Sequence, residues 1–135
     1  MAIGSWEPEQ KTTAEAKIDI DILNELLSWS SDDQLSSLES HIALQQQRDL
    51  AYIMKLDASN WQNSVDDLNE NELICLIRVL TVAEEKLEGW QAGEKSPVIA
   101  LNKLLRRRGT PLNKEMLNWI KANSSNRFLP NGPLL

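Results

Sequence analysis

The stretch from Asn69 to Gly89, "NENELICLIRVLTVAEEKLEG", constrains this chain more than any other. Leu73, Leu76, Ile77, Leu80, Ala83 and Leu87 recur at steps of three and four, which places them on one face of an α-helix. Ile74, Val79 and Val82 widen that face until the helix is apolar most of the way round. Such a rod belongs at the centre of a bundle, with neighbours on several sides. Asn69 and Glu72 stand in the order of a reciprocal cap, and Leu68 is placed to touch Leu73 across it. Gly89 offers a left-handed stop. The pattern predicts a central helix over about 70–88.

The other apolar stripes follow the same period. Ile18, Ile22, Leu26 and Trp29 share one face, and Thr12 with Glu15 forms a capping pair before them, so a first helix is expected over about 13–29. The alternation Ile18-Asp19-Ile20-Asp21-Ile22 is the sole strand-like run. A second helix over about 32–56 carries Leu35, Leu38, Ile42, Leu50, Ile53 and Met54, either unbroken or bent near Gln45, Gln46 and Gln47. Trp61, Val65 and Leu68 suit a two-turn helix. Ser96-Pro97 opens another, with Val98, Leu101, Leu104 and Leu105 inside and Gly109 at its end. Thr110-Pro111 or Asn113 opens the last, faced by Met116, Leu117 and Ile120. Pro130 and Pro133 forbid a helix in the tail. The fold expected is all-α: a single compact bundle of five or six helices spanning 13–123, with a flexible segment at 1–12 and an extended arm at 124–135. At 135 residues the chain can bury roughly 68% of its unfolded surface, so its core needs no metal or disulfide.

The segment "GWQAGEKSP", residues 89–97, has the look of a phosphate-binding loop. A Walker loop needs four residues between its glycines and a lysine directly after the second. Here three residues separate Gly89 from Gly93, and Glu94 precedes Lys95. The segment leaves a helix rather than a strand, and Pro97 removes an amide donor. It reads as a helix–helix connector in which Trp90 folds back on the preceding helix.

No other residues assemble into a catalytic set. His41 is the sole histidine and Cys75 the sole cysteine, so no metal motif and no internal disulfide exist. Cys75 lies in the most apolar run, where a buried inert thiol is expected. The adjacent acids Asp32-Asp33, Asp66-Asp67 and Glu84-Glu85 point about 100° apart on a helix and do not converge. The expectation is a non-enzyme without cofactor or metal. The start of the chain lacks a signal-peptide layout, and the apolar run from Leu73 to Ala83 is about half the ~20 residues of a membrane span. A cytoplasmic protein without membrane partners is therefore expected.

Charge is the remaining functional signal. Residues 1–85 hold 5 Lys/Arg and 17 Asp/Glu, while residues 86–135 hold 9 and 3, so the halves carry −12 and +6 within a total of −6. The halves either neutralise each other on folding or form opposed faces. Lys103, Arg106, Arg107, Arg108, Lys114, Lys121 and Arg127 bracket "ALNKLLRRRGTPLNKEMLNWIK", a helix–turn–helix-like segment in which Asn113, Lys114 and Asn118 would face DNA bases. The turn "RGTPLN" is longer than such motifs use, and Arg106–Arg108 also suit the negative end of a helix. Trp29, Trp61, Trp90 and Trp119 are spaced 32, 29 and 29 apart and are expected to close corners of the bundle, with N–H groups at its wet edge. Trp6, Phe128 and Leu129 lie in the tails, where they suit docking to a partner. Together these features point to a non-catalytic protein-interaction or regulatory module, self-associating or binding another protein. A nucleic-acid binder using the basic half is the alternative, and a bundle that carries a small apolar ligand is the third.

Overall fold

A computed structural model describes residues 18–133. The expected cap at Thr12 and Glu15, the 1–12 segment with Trp6, and Leu134 and Leu135 lie outside the described residues. Those described are helical without a strand. The helices are α1 (Ile20–Ser28), α2 (Asp32–Ser36), α3 (Leu38–His41), α4 (Leu44–Leu50), α5 (Ala58–Ser64), α6 (Glu70–Lys86), α7 (Pro97–Arg107) and α8 (Lys114–Asn123). Short 3₁₀ turns occupy Ala51–Lys55 and Gly93–Lys95.

The apolar rod takes the central place. α6 is packed by α1, α3, α7 and α8, and α5 lies against α7. Leu73, Leu76, Ile77, Leu80, Ala83 and Leu87 are fully buried. The Asn69–Glu72 capping box forms in both directions, at 2.8 and 2.9 Å. The helix stops at Lys86, slightly earlier than its periodicity implies. Leu87 turns to extended backbone, and its carbonyl accepts the Trp90 amide at 3.2 Å. Gly89 sits within that turn at φ +88°, a left-handed angle that glycine adopts without steric cost. The turn carries Trp90 into the core.

Two expected rods are shorter than their stripes suggest. α1 begins at Ile20, because Asp19 is extended and its carboxylate accepts the Asp21 amide at 2.8 Å. Ile18 is nevertheless buried, and its amide donates to Ser64 Oγ at 2.8 Å, tying the chain to α5. The 32–56 stripe breaks into α2, α3, α4 and a 3₁₀ turn. The breaks fall at Ser37 and at Ile42-Ala43, where the backbone is not helical. Gln47 holds the second break: its buried amide donates to the carbonyls of Glu39 and Ile42 at 3.2 and 2.8 Å. The glutamines that interrupt the stripe thus include the one that satisfies the backbone where the rod is broken.

The tryptophans close the bundle from within rather than from its wet edge. Trp61 and Trp90 are wholly buried. Trp61 Nε1–H donates to the Ile53 carbonyl at 2.9 Å, and Trp90 Nε1–H to the Gln47 carbonyl at 2.8 Å. Both bonds anchor α4 and the 3₁₀ turn that follows it to the core. Trp29 is buried and Trp119 half-buried.

Trp90→Phe removes an internal hydrogen bond and part of a buried ring. It is expected to lower the unfolding free energy by about 3 kcal/mol. Tyr52→Ala, at a half-exposed ring, should change it by less than about 1 kcal/mol. Urea denaturation monitored by circular dichroism measures both.

Candidate functional site

The connector that looks like a phosphate cradle does hold an anion, and the anion is the chain's own. The amides of Ala92 and Gly93 donate to Glu84 Oε2 at 3.0 and 3.1 Å, and Asn126 Nδ2 donates to the same oxygen at 2.7 Å. Asn126 Nδ2 also reaches the Gly93 carbonyl at 2.9 Å. Glu84 is buried, and its Oε1 lacks a hydrogen-bond partner among the described residues. A phosphate on these amides would have to expel a buried carboxylate. Gln91 completes the lock: its amide donates to the carbonyls of Glu84 and Leu87 at 2.8 and 3.2 Å, satisfying the end of α6.

Glu85 points the other way. Its exposed Oε1 accepts the amide and hydroxyl of Ser125, at 2.8 and 2.9 Å. These bonds, the backbone one first, hold its carboxyl below the usual range. The adjacent acids therefore diverge, as their angular offset requires, and both clasp the C-terminal arm. Sequence reasoning treated Glu84 only as half of an acidic pair. A signal was available: Glu84 lies on the stripe of Ile77, Leu80 and Leu87, so it faces inward.

The arm beyond α8 is non-helical and packs on α7. Asn102 Nδ2 donates to the Pro130 carbonyl at 3.1 Å and to Asn131 Oδ1 at 3.2 Å. Gly132 stands so close to Ile99 that a Cβ there would lie 3.3 Å from Ile99 Cγ2. Leu129 is buried in the core, and Phe128 is half-buried beneath the Arg127 guanidinium, 5.1 Å from the ring centre. Leu129 therefore serves the chain's own interior and is not free to dock elsewhere.

The basic residues divide into separate places. Arg108 spans back to the α5–α6 connection, donating to the carbonyls of Leu68 and Asp66 at 2.6 and 2.9 Å. Lys103, Arg106 and Arg107 are the exposed residues of the second half of α7 and share its outer face. Lys114 and Lys121 are exposed on α8, two turns apart. α7 packs equally on α5 and α6, and α8 packs on α6, which differs from the mutually packed pair of a helix–turn–helix. Among the described residues one ion pair forms, Arg78 with Asp32, and both partners lie in the acidic half. Arg78 also covers the Trp119 ring at 5.2 Å. The two halves thus form no direct ion pair with each other among these residues.

Other candidate chemistry stays dispersed. No group of three or more metal-ligating side chains occurs among the described residues, and no helix there is long and apolar enough to cross a membrane. His41 is exposed. Cys75 is half-buried rather than sealed in the core, because α6 is not covered on every side at that turn. The chain matches no protein-family model, no curated protein and no solved structure.

Glu84→Ala leaves two connector amides and Asn126 without their shared acceptor. A loss of about 3 kcal/mol is expected, with faster hydrogen exchange at Ala92 and Gly93. Glu85 yields a pH test. A carboxyl with a lowered folded pKa adds stability above its unfolded pKa and loses it as pH falls through the folded one. Ser125→Ala removes one of the two bonds, so carboxyl-resolved NMR titration should find the Glu85 pKa moved back up.

Proposed function

We propose that the chain is a non-catalytic interaction module that presents the outer face of α7 to an acidic protein surface. The supporting observation is the exposure of Lys103, Arg106 and Arg107 on that face, which form no ion pair among the described residues, where the one ion pair joins two residues of the acidic half. Opposed faces of this kind steer encounter and select partners by charge. The chain carries a suitable acidic surface of its own: Asp19, Asp21 and Glu25 are exposed at and along α1. A second copy therefore meets the electrostatic requirement as well as another protein does.

Nucleic acid is the second reading, favoured by Lys114, Asn118 and Lys121, all exposed and spaced along one side of α8. It requires phosphate contacts from two helices that do not form the usual reading pair. The net charge of −6 opposes it.

Sedimentation and affinity capture from source cells, at low and moderate salt, compare the wild type with Arg106→Glu/Arg107→Glu. A self-association or a specific partner weakened at least about tenfold by the double reversal supports the module. A monomer that captures nothing in a salt-dependent way overturns it. Steeply salt-dependent binding of labelled DNA or RNA, lost on Lys114→Ala/Lys121→Ala, transfers the function to the second reading.

A further inference from the structure

A cleft that shares only Lys103 with the outer face of α7 lies where the 3₁₀ turn at Ala51–Lys55, the start of α5, the connector and the first turns of α7 meet. Its volume is about 480 Å³, within the range of small-molecule sites, roughly 300–1,000 Å³. Its floor is apolar: Met54, Leu56, Trp61, Ile99 and Ala100 line it and are buried in the core. Every titratable side chain lining it stands on the rim. Lys55, Lys95 and Lys103 contribute three positive charges, and Asp57 and Glu94 two negative ones.

These charges are not equivalent. Asp57 is committed to structure: its Oδ1 accepts the Asn60 amide at 2.9 Å and the Ser59 hydroxyl at 3.0 Å, capping α5. None of the three lysines forms an ion pair among the described residues. The rim is therefore positive by one charge over an oily base. A lysine rim supplies ammonium donors to an anionic head while the alkyl stems extend the apolar wall. One surplus charge matches a monoanion, and a dianionic phosphate ester would leave charge uncompensated beside Glu94.

We infer that this cleft binds an aliphatic monocarboxylate, with the alkyl chain over Leu56, Ile99 and Ala100 and the carboxylate among Lys55, Lys95 and Lys103. Two polar devices fix the walls in advance. Gln62 Nε2 donates to the Ala100 carbonyl at 3.2 Å, joining α5 to α7, and the Glu84 carboxylate fastens the connector wall through the Ala92 amide at 3.0 Å. The site is thus preorganised, which lowers the ordering cost of binding.

Dansyl-labelled undecanoate titrated into the full chain reads the site by its emission, and decanoate and decylammonium serve as competitors. Saturable binding displaced by decanoate and not by decylammonium is expected. Lys55→Met/Lys95→Met keeps the stems and removes two charges, and should weaken decanoate about tenfold. Ala58→Phe places a ring in the cleft from an exposed position at the start of α5 and should abolish binding with an unchanged circular dichroism spectrum. Arg106→Glu/Arg107→Glu should leave decanoate affinity intact. Absence of saturable binding, equal displacement by decylammonium, or undiminished affinity in Ala58→Phe overturns the assignment.

Discussion

A carboxylate buried near the C-terminal end of a helix is doubly unfavourable. It loses water, and it faces the negative end of the helix dipole. Glu84 occupies that position near the end of the long central helix, and three donors answer it from the connector and the C-terminal arm. That requirement organises one end of the molecule. It sets the path of the connector, it draws the arm back over the bundle through Asn126, and it holds the wall of the cleft. The segment that resembles a phosphate loop is an anion nest whose anion is covalently part of the fold.

The helices were legible because burial imposes a period, and Leu73 to Leu87 obeys it at every step. Asn69, Glu72, Ser96, Pro97 and Asn113 announced helix starts through local chemistry that needs no tertiary information. The 32–56 stripe leaves a continuous and a bent helix equally open, because its apolar residues are buried from several short pieces and periodicity does not record a break that a side chain stabilises. Gln47 makes that break tolerable. The N–H groups of Trp61 and Trp90 were likewise unreadable, since their acceptors are carbonyls in that same irregular stretch. Of the candidate site, the basic residues could be enumerated in advance. Their partition into Arg108, which staples a turn, and Lys103, Arg106 and Arg107, which face outward, depends on packing of α7 against α5 and α6. Lys55 and Lys95 each stand alone in sequence, and only the fold brings them to one rim.

The charge asymmetry and the cleft belong to a single design logic. The interior holds apolar contacts, the bonded amides of Gln47 and Asn102 and the Glu84 carboxylate. Cations stand instead where α7 meets solvent and where the cleft opens. Lys103 takes part in both surfaces.

The clasp between Glu84 and Asn126 also bears on how the polypeptide matures on the ribosome. Synthesis runs from the N-terminus, so α6 and the connector emerge while Asn126 is still inside the translating machinery. Until then the buried acid has the two connector amides alone, and the part of α7 around Ile99 and Asn102 that the arm covers lies bare. Completion of this bundle waits on the segment from Ser124 to Gly132, and a nascent chain severed before it exposes a sticky flank to chaperones and proteases.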